Sequence, residues 1–268
     1  MEGFIFLGLK LSPVAFSLWG FDIRWYSLAY IFGAIFALLY IKFLNKSSNI
    51  IDESKKKQFF EDLLFYIVLG VLIGGRLGFV IFYGLSYYIK NPIEIFYLWN
   101  GGMSYHGGLI GVSVSSWLLG KKYNKSVLQI TDIIAPSVPI GLFLGRLANF
   151  VNGELYGRPT DLPIGVHFPN VFLPRHPSQL YEALLEGVVL FIILSIMWHK
   201  KLYKKEGYLS ATLLICYGIF RILVEFVREG EIYFFNTISM GQVLSLPMIL
   251  VGVFILYYVN SKDYKNRL

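Results

Sequence analysis

A chain of 268 residues with 56% hydrophobic and only 15% charged side chains is not an ordinary soluble domain, in which about a quarter of residues are charged. Its mean hydropathy of +0.58 fits an integral membrane protein, and the length accommodates several spans of roughly 20 residues each. The net charge of +7 calls for no nucleic-acid partner, because membrane proteins collect Lys and Arg in cytoplasmic loops. A lone cysteine, Cys216, excludes an intrachain disulfide and a multi-cysteine metal site.

In chain order, residues 1–24 mix apolar and polar side chains around Pro13, Asp22 and Arg24 and are expected to lie along the membrane surface. No early basic cluster marks a cleaved signal peptide. Apolar spans are then expected at about 25–44, 63–83, 104–119, 129–150, 179–198, 208–227 and 240–259. The expected fold is an all-α integral membrane protein of seven transmembrane helices in a single polytopic domain. The stretch 151–178, rich in Pro and Gly, is expected to form a small cap from loops on the outer face.

Loop charge sets the expected orientation. One set of loops carries Lys46, Lys55, Lys56 and Lys57, then Lys121, Lys122 and Lys125, then Lys200, Lys201, Lys204 and Lys205, and finally Lys262, Lys265 and Arg267. The other carries only scattered Lys10, Arg24, Lys90, Arg158, Arg175 and Arg228. The positive-inside rule therefore places the N-terminus outside and the C-terminus in the cytoplasm.

With that orientation the unusual polar residues collect toward the outer side. Tyr26 opens the first span. Arg76 lies in the outer half of the second, beside Gly70, Gly74 and Gly78, whose four-residue spacing allows close helix contact. His106 opens the third and is followed by Gly107, Gly108 and Gly111. The fourth span ends in Gly-Arg-Leu-Ala-Asn-Phe-Val-Asn-Gly-Glu-Leu-Tyr-Gly at 145–157. There Arg146 and Asn149 share a helix face, Asn152 and Gly153 break the helix, and Glu154 and Gly157 follow. Gln179, Glu182 and Glu186 fall on one face of the fifth span, as do Tyr217, Arg221, Glu225 and Arg228 in the sixth.

An arginine at the bilayer centre costs roughly 2.5–3.5 kcal/mol on the insertion scale, less toward the interface. Guanidinium is also the group best shaped to hold a phosphate by two parallel hydrogen bonds. Each residue alone has a structural explanation: a snorkelling Arg146, an i,i+4 pair of Arg221 and Glu225, or Glu182 as glue between helices. Together they describe a polar, anion-binding cavity open to the outer leaflet. Asp132 and Lys42 lie at inner ends and are read as structural.

The sequence contains no Gly-x-Ser-x-Gly elbow, paired-histidine zinc motif or P-loop, and neither metal nor cofactor is expected. Anion clamps with a candidate base, and no covalent catalyst, suit a reaction whose nucleophile and leaving group both come from substrates. An anionic phospholipid of the outer leaflet would present its phosphate at this depth. The alternative, a transporter or flippase of an anionic lipid, calls for a path to both faces and often for repeat symmetry. Here the polar residues stop in the outer half, and no repeat is visible. Phosphoryl transfer would call for an acidic metal-binding cluster, which the outer loops lack.

Several motifs resemble those of the prolipoprotein diacylglyceryl transferases. They are Arg24-Trp-Tyr26, Gly75-Arg76-Leu-Gly78, Ser104-Tyr-His106-Gly-Gly-Leu-Ile-Gly111, the 145–157 stretch, Arg175-His-Pro-Ser-Gln-Leu-Tyr-Glu182, Tyr217-Gly-Ile-Phe-Arg221 through Glu225 and Arg228, and Met240-Gly-Gln242. The resemblance covers nearly the whole chain in order. It implies a seven-span enzyme of the bacterial inner membrane with its active site toward the outer leaflet. Such an enzyme moves diacylglyceryl from phosphatidylglycerol to the lipobox cysteine thiol of a preprolipoprotein signal peptide, leaving a thioether and glycerol phosphate. By the same resemblance, Arg146 and Arg221 would hold the phosphate, and Asn149, Glu154 and Gly157 would shape its pocket. Glu225 and Arg228 would orient the guanidiniums, and Arg76, Gln179 and Glu182 complete the lipid-binding set. His106 would take the thiol proton, with Tyr26 in support.

Overall fold

Six helices among the described residues are long and apolar enough to cross a bilayer: Trp25–Asn45, Glu53–Tyr83, Val127–Asn152, Ser178–His199, Tyr208–Glu225 and Met240–Ser261. They cover six of the seven expected stretches. The remaining one, 104–119, is also helical, as Tyr105–Tyr123, but is rich in Gly and Ser and is not among the six. Large apolar side chains such as Tyr30, Phe36, Phe82, Leu250 and Phe254 are exposed along these helices. A water-soluble protein would bury such surface; a bilayer solvates it. The computed structural model describes residues 4–6, 9–46, 48, 50–98, 101–169, 171–229, 233–234 and 238–265. The side chains of 4–5, 9–10, 105–106, 233–234 and 262–265 fall outside that description. Two units are formed, one of Met1–Ile41 with Asp132–Leu268 and the other of Lys42–Thr131.

The first unit opens with two antiparallel hairpins, β1 (Phe4–Phe6) with β2 (Leu9–Leu11) and β3 (Val14–Leu18) with β4 (Phe21–Arg24). The expected surface segment is therefore built of strands. Trp19 and Gly20, both at positive φ, form the two-residue turn that suits the twist of a hairpin. Helix α1 (Trp25–Asn45) follows at once; its 21 residues rise about 31 Å at 1.5 Å each, enough for the hydrocarbon core.

In the second unit, α2 (Lys56–Tyr83), the short α3 (Leu85–Lys90) and α4 (Tyr105–Tyr123) follow one another. Gly70, Gly74 and Gly78 of α2 lie against Gly107, Gly111 and Ser115 of α4. A Cβ on Gly74 would come within 2.8 Å of the Gly111 Cα and 3.0 Å of its nitrogen. Those are backbone atoms and cannot swing aside. Gly74→Ala should therefore force the two helices apart and cost about 2 kcal/mol, in line with overpacking of a tight interface. Thermal unfolding in detergent measures this, and an unchanged midpoint would contradict the contact.

The remaining helices belong to the first unit apart from the start of α5. The expected fourth span is broken: α5 (Val127–Ile134) passes through a 3₁₀ turn, Ala135–Ser137, into α6 (Val138–Asn152). Pro136 and Pro139 lack the N–H groups a continuous helix would use. Asp132 caps the helix that begins at Tyr208, accepting from Gly207 N and Ser210 N at 2.7 Å and Ser210 Oγ at 2.6 Å. The fifth span comprises α7 (Ser178–Glu182), a π-helical segment Ala183–Val189 and α8 (Leu190–His199). Helix α9 (Tyr208–Glu225), the hairpin of β5 (Tyr233–Phe234) with β6 (Ile238–Ser239), and α10 (Met240–Lys265) complete the chain. Between α6 and α7 the loop builds a small apolar core of Phe150, Val166 and Phe168, packed by Phe6 and Tyr156.

Candidate active site

The site grows from three elements of the first unit. Helix α6 carries Arg146 and Asn149 and ends where Gly153 enters the left-handed region at φ 67°, its N–H returning to Asn149 and Phe150. That conformation is the ordinary glycine cap of a helix. Helix α7 and its π segment carry Gln179, Glu182 and Glu186; π turns of this kind cluster at functional sites. Gly187 brings the π segment close to α6, since a Cβ there would meet the Phe143 Cβ at 2.8 Å. Helix α9 supplies Arg221 and Glu225, and Arg228 follows its end.

Glu182 joins all three arginines. Its Oε1 accepts from Arg228 Nη1 at 2.7 Å and from Arg221 Nη1, while Oε2 lies 3.0 Å from Arg146 Nε. Glu186 takes Arg146 Nη2 at 3.1 Å, and Glu225 Oε2 lies 3.0 Å from Arg221 Nη2. The carboxylate side chains are 0–4% exposed, the arginines 14–16%. Three guanidiniums are thus backed by three buried carboxylates. Arg146 Nη1, Arg221 Nε and Arg228 Nη2 have no acceptor among the described residues. With a carboxyl group set against each guanidinium, the network offers oriented N–H donors rather than a bare cluster of positive charge. Its rotamers are locked in advance, which is what makes such donors effective on developing charge.

A second cluster surrounds Glu154. Asn149 Nδ2 donates to the Tyr26 hydroxyl and to Glu154 Oε1 at 3.1 Å. Gln179 Nε2 donates to the Glu154 carbonyl at 2.6 Å. Gly157 bonds through its N–H to the His176 carbonyl at 2.8 Å and bridges to Arg228. It leaves no room for a side chain, as a Cβ would lie 2.8 Å from that of His176. Arg146, Glu182, Arg221, Glu225 and Arg228 thus form one ion-paired cluster, to which Gly157 bridges at Arg228. Tyr26, Asn149, Glu154 and Gln179 form a second, the two carried side by side on α6 and α7.

The chain matches the family model of prolipoprotein diacylglyceryl transferase over residues 13–258. The chain belongs to the prolipoprotein diacylglyceryl transferase family. Among similar proteins named phosphatidylglycerol–prolipoprotein diacylglyceryl transferase, that of Rickettsia felis is 46% identical over 94% of this chain and 98% of its own length. That of Nitratidesulfovibrio vulgaris is 43% identical over 96% and 97%, and that of Bordetella parapertussis 49% over 91% and 93%.

Two expected members belong to the second unit. Arg76, expected to bind lipid, is buried, and its five N–H donors meet five backbone carbonyls, those of Glu94, Ile95, Tyr97, Gly101 and Gly102. Its guanidinium also lies over the Tyr88 ring. No donor is left over for a phosphate, so in this structure Arg76 ties the end of the 3₁₀ turn Pro92–Phe96 and Tyr97 to Gly101 and Gly102. Arg76→Lys should cost about 3 kcal/mol, because lysine replaces a charge-assisted fork with a point charge. A steep loss of substrate affinity with an unchanged unfolding midpoint would instead return it to the lipid. His106 lies in the first turn of α4; its side chain is outside the described residues.

Sequence reasoning placed Glu186 on the right helix face but left it out of the site. The i,i+4 spacing from Glu182 was the available signal. Gly241 was also missed: a Cβ there would come within 2.9 Å of both Glu225 carboxylate oxygens, so the glycine lets α10 approach that carboxylate.

Proposed function

We propose that this chain transfers the diacylglyceryl group of phosphatidylglycerol to the lipobox cysteine thiol of a prolipoprotein, the first step of lipoprotein maturation. Family membership supports the substrates, and the observation that carries the mechanism is Glu182, shared by Arg146, Arg221 and Arg228. That carboxylate fixes three guanidiniums with donors to spare, a cradle for one phosphodiester. The sulfur attacks the glyceryl carbon, a C–S bond forms, and the C–O bond to phosphate breaks. The electron pair leaves on the phosphate oxygen, which the arginines stabilise, and glycerol phosphate departs. The thiol proton goes to a base, a role assigned to His106 from the sequence alone. Asn149, Tyr26 and Gly157 hold the pocket's edge, and no residue of the chain needs to become covalently attached.

With it we take α4 as the third of seven spans of a single polytopic domain in the bacterial inner membrane, with the N-terminus and the active site outside. The loop lysines support that orientation. On a Cys216→Ala background, an impermeant thiol reagent added outside should label Asp161→Cys and not Lys201→Cys. The opposite pattern would overturn the orientation. For the activity itself, purified protein given phosphatidylglycerol with labelled acyl chains and a lipobox peptide should yield labelled peptide. A peptide left unmodified by folded protein would overturn the function.

A further inference from the structure

The side-chain oxygens of Asn152 and Gln179 are buried and have no hydrogen-bond donor among the described residues. Gln179 as a whole is 0% exposed. Neither amide is free to turn over. Gln179 Nε2 donates to the Glu154 carbonyl at 2.6 Å, and Asn152 Nδ2 faces Glu154 Oε1 at 3.5 Å. A carbonyl and a carboxylate only accept, so a flip would set oxygen against oxygen. Both amide oxygens are held away from Glu154, and a buried acceptor left without a donor is costly and uncommon. The other unbonded oxygens nearby differ in kind. Glu182 Oε2 and Glu225 Oε2 each lie 3.0 Å from an arginine nitrogen, and Glu186 Oε1 belongs to a carboxylate already held by Arg146.

Helix α7 sets the distance from Gln179 to the arginines. Arg146 of α6 meets Glu182 of α7; three residues onward in α6 and three back in α7, Asn149 and Gln179 both hold Glu154. The three residues from Glu182 back to Gln179 rise about 4.5 Å, roughly the reach from a phosphate to the hydroxyls of a glycerol esterified to it. Asn152, six residues beyond Arg146 and about 9 Å of helix rise away, is placed beside Gln179 by Glu154, which both amides face. A phosphate needs donors, and the arginines supply them. The head-group glycerol is a donor of two O–H bonds and needs acceptors.

We propose that Gln179 Oε1 and Asn152 Oδ1 accept the hydroxyls of the head-group glycerol and so select phosphatidylglycerol over phospholipids whose head group carries none. The assignment rests on the arginine network being the phosphate site. Phosphatidylethanol with the same acyl chains is the probe, since it keeps the phosphodiester charge and lacks both hydroxyls. Full-length protein should transfer from phosphatidylglycerol with kcat/KM at least about tenfold higher, the effect of one or two lost hydrogen bonds at buried partners. In Gln179→Met and Asn152→Leu that ratio should fall toward one. Equal use of both lipids by the parent protein would overturn the proposal, as would variants that slow both lipids alike and keep the ratio.

Lipid-induced thermal stabilisation of the parent protein in detergent reads the same contacts without turnover or variants. Phosphatidylglycerol should raise the midpoint more than phosphatidylethanol; equal shifts would overturn the proposal. Unequal shifts in a protein that transfers from neither lipid would keep this assignment and remove the transferase reading.

Discussion

Glu182→Ala is expected to cost about 3–5 kcal/mol of stability and to abolish transfer. Breaking a buried ion pair by removing one partner leaves uncompensated charge in a low-dielectric site, and that is the magnitude such changes reach. Here one fully buried carboxylate serves three arginines. Glu186 still holds Arg146 and Glu225 still holds Arg221, but Arg228 keeps no carboxylate among the described residues. The three guanidiniums would then repel one another and lose their common register. Thermal unfolding in detergent, read beside transfer activity, tests this. A variant with near-parental midpoint and turnover would show that the shared carboxylate does not organise the site.

Arg146→Lys should lower kcat/KM by about 10²–10³-fold, the usual effect of removing one preorganised donor from a site of developing charge. Lysine keeps the charge but loses the fork. Arg146 spends Nε and Nη2 on Glu182 and Glu186, and its Nη1 has no acceptor among the described residues. A single ammonium cannot bridge two carboxylates and still present a directed donor outward. Stability should fall less than in Glu182→Ala, because a positive charge still faces the buried acids. Near-normal turnover in properly inserted protein would show that Arg146 serves only the carboxylates.

Much of the architecture is legible in the chain because the bilayer demands it. Apolar runs must be helical when no water can satisfy the backbone, and six of the expected runs are helices of spanning length. The break within the fourth was also written in the sequence, in Pro136 and Pro139, but a hydropathy run averages over it. The small-residue spacing at Gly70, Gly74 and Gly78 did mark a close helix contact. What periodicity could not show is pairing between helices. The i,i+4 spacing of Arg221 and Glu225 is local and appears as an ion pair. Glu182 lies 36 residues from Arg146 in sequence, and nothing local says that it also reaches Arg221 and Arg228. The π segment that sets Glu186 beside Arg146 depends on tertiary packing at Gly187 and Phe143. Arg76 has the same local look as the site arginines, yet its partners are backbone carbonyls, two of them in the 3₁₀ turn Pro92–Phe96, whose placement no side-chain pattern encodes.

A phosphate leaving group held by arginines requires that the glyceryl C–O bond break. Phosphatidylglycerol labelled in both glycerols, incubated with folded protein and a lipobox peptide, reports it directly. An alkali-stable thioether carrying the diacylglyceryl label and free glycerol phosphate carrying the head-group label should form in equal amounts, and should still form with Cys216→Ala. A thioester to an acyl chain, a phosphorylated peptide or a lipid bound covalently to the protein would contradict a phosphate leaving group held by Arg146, Arg221 and Arg228.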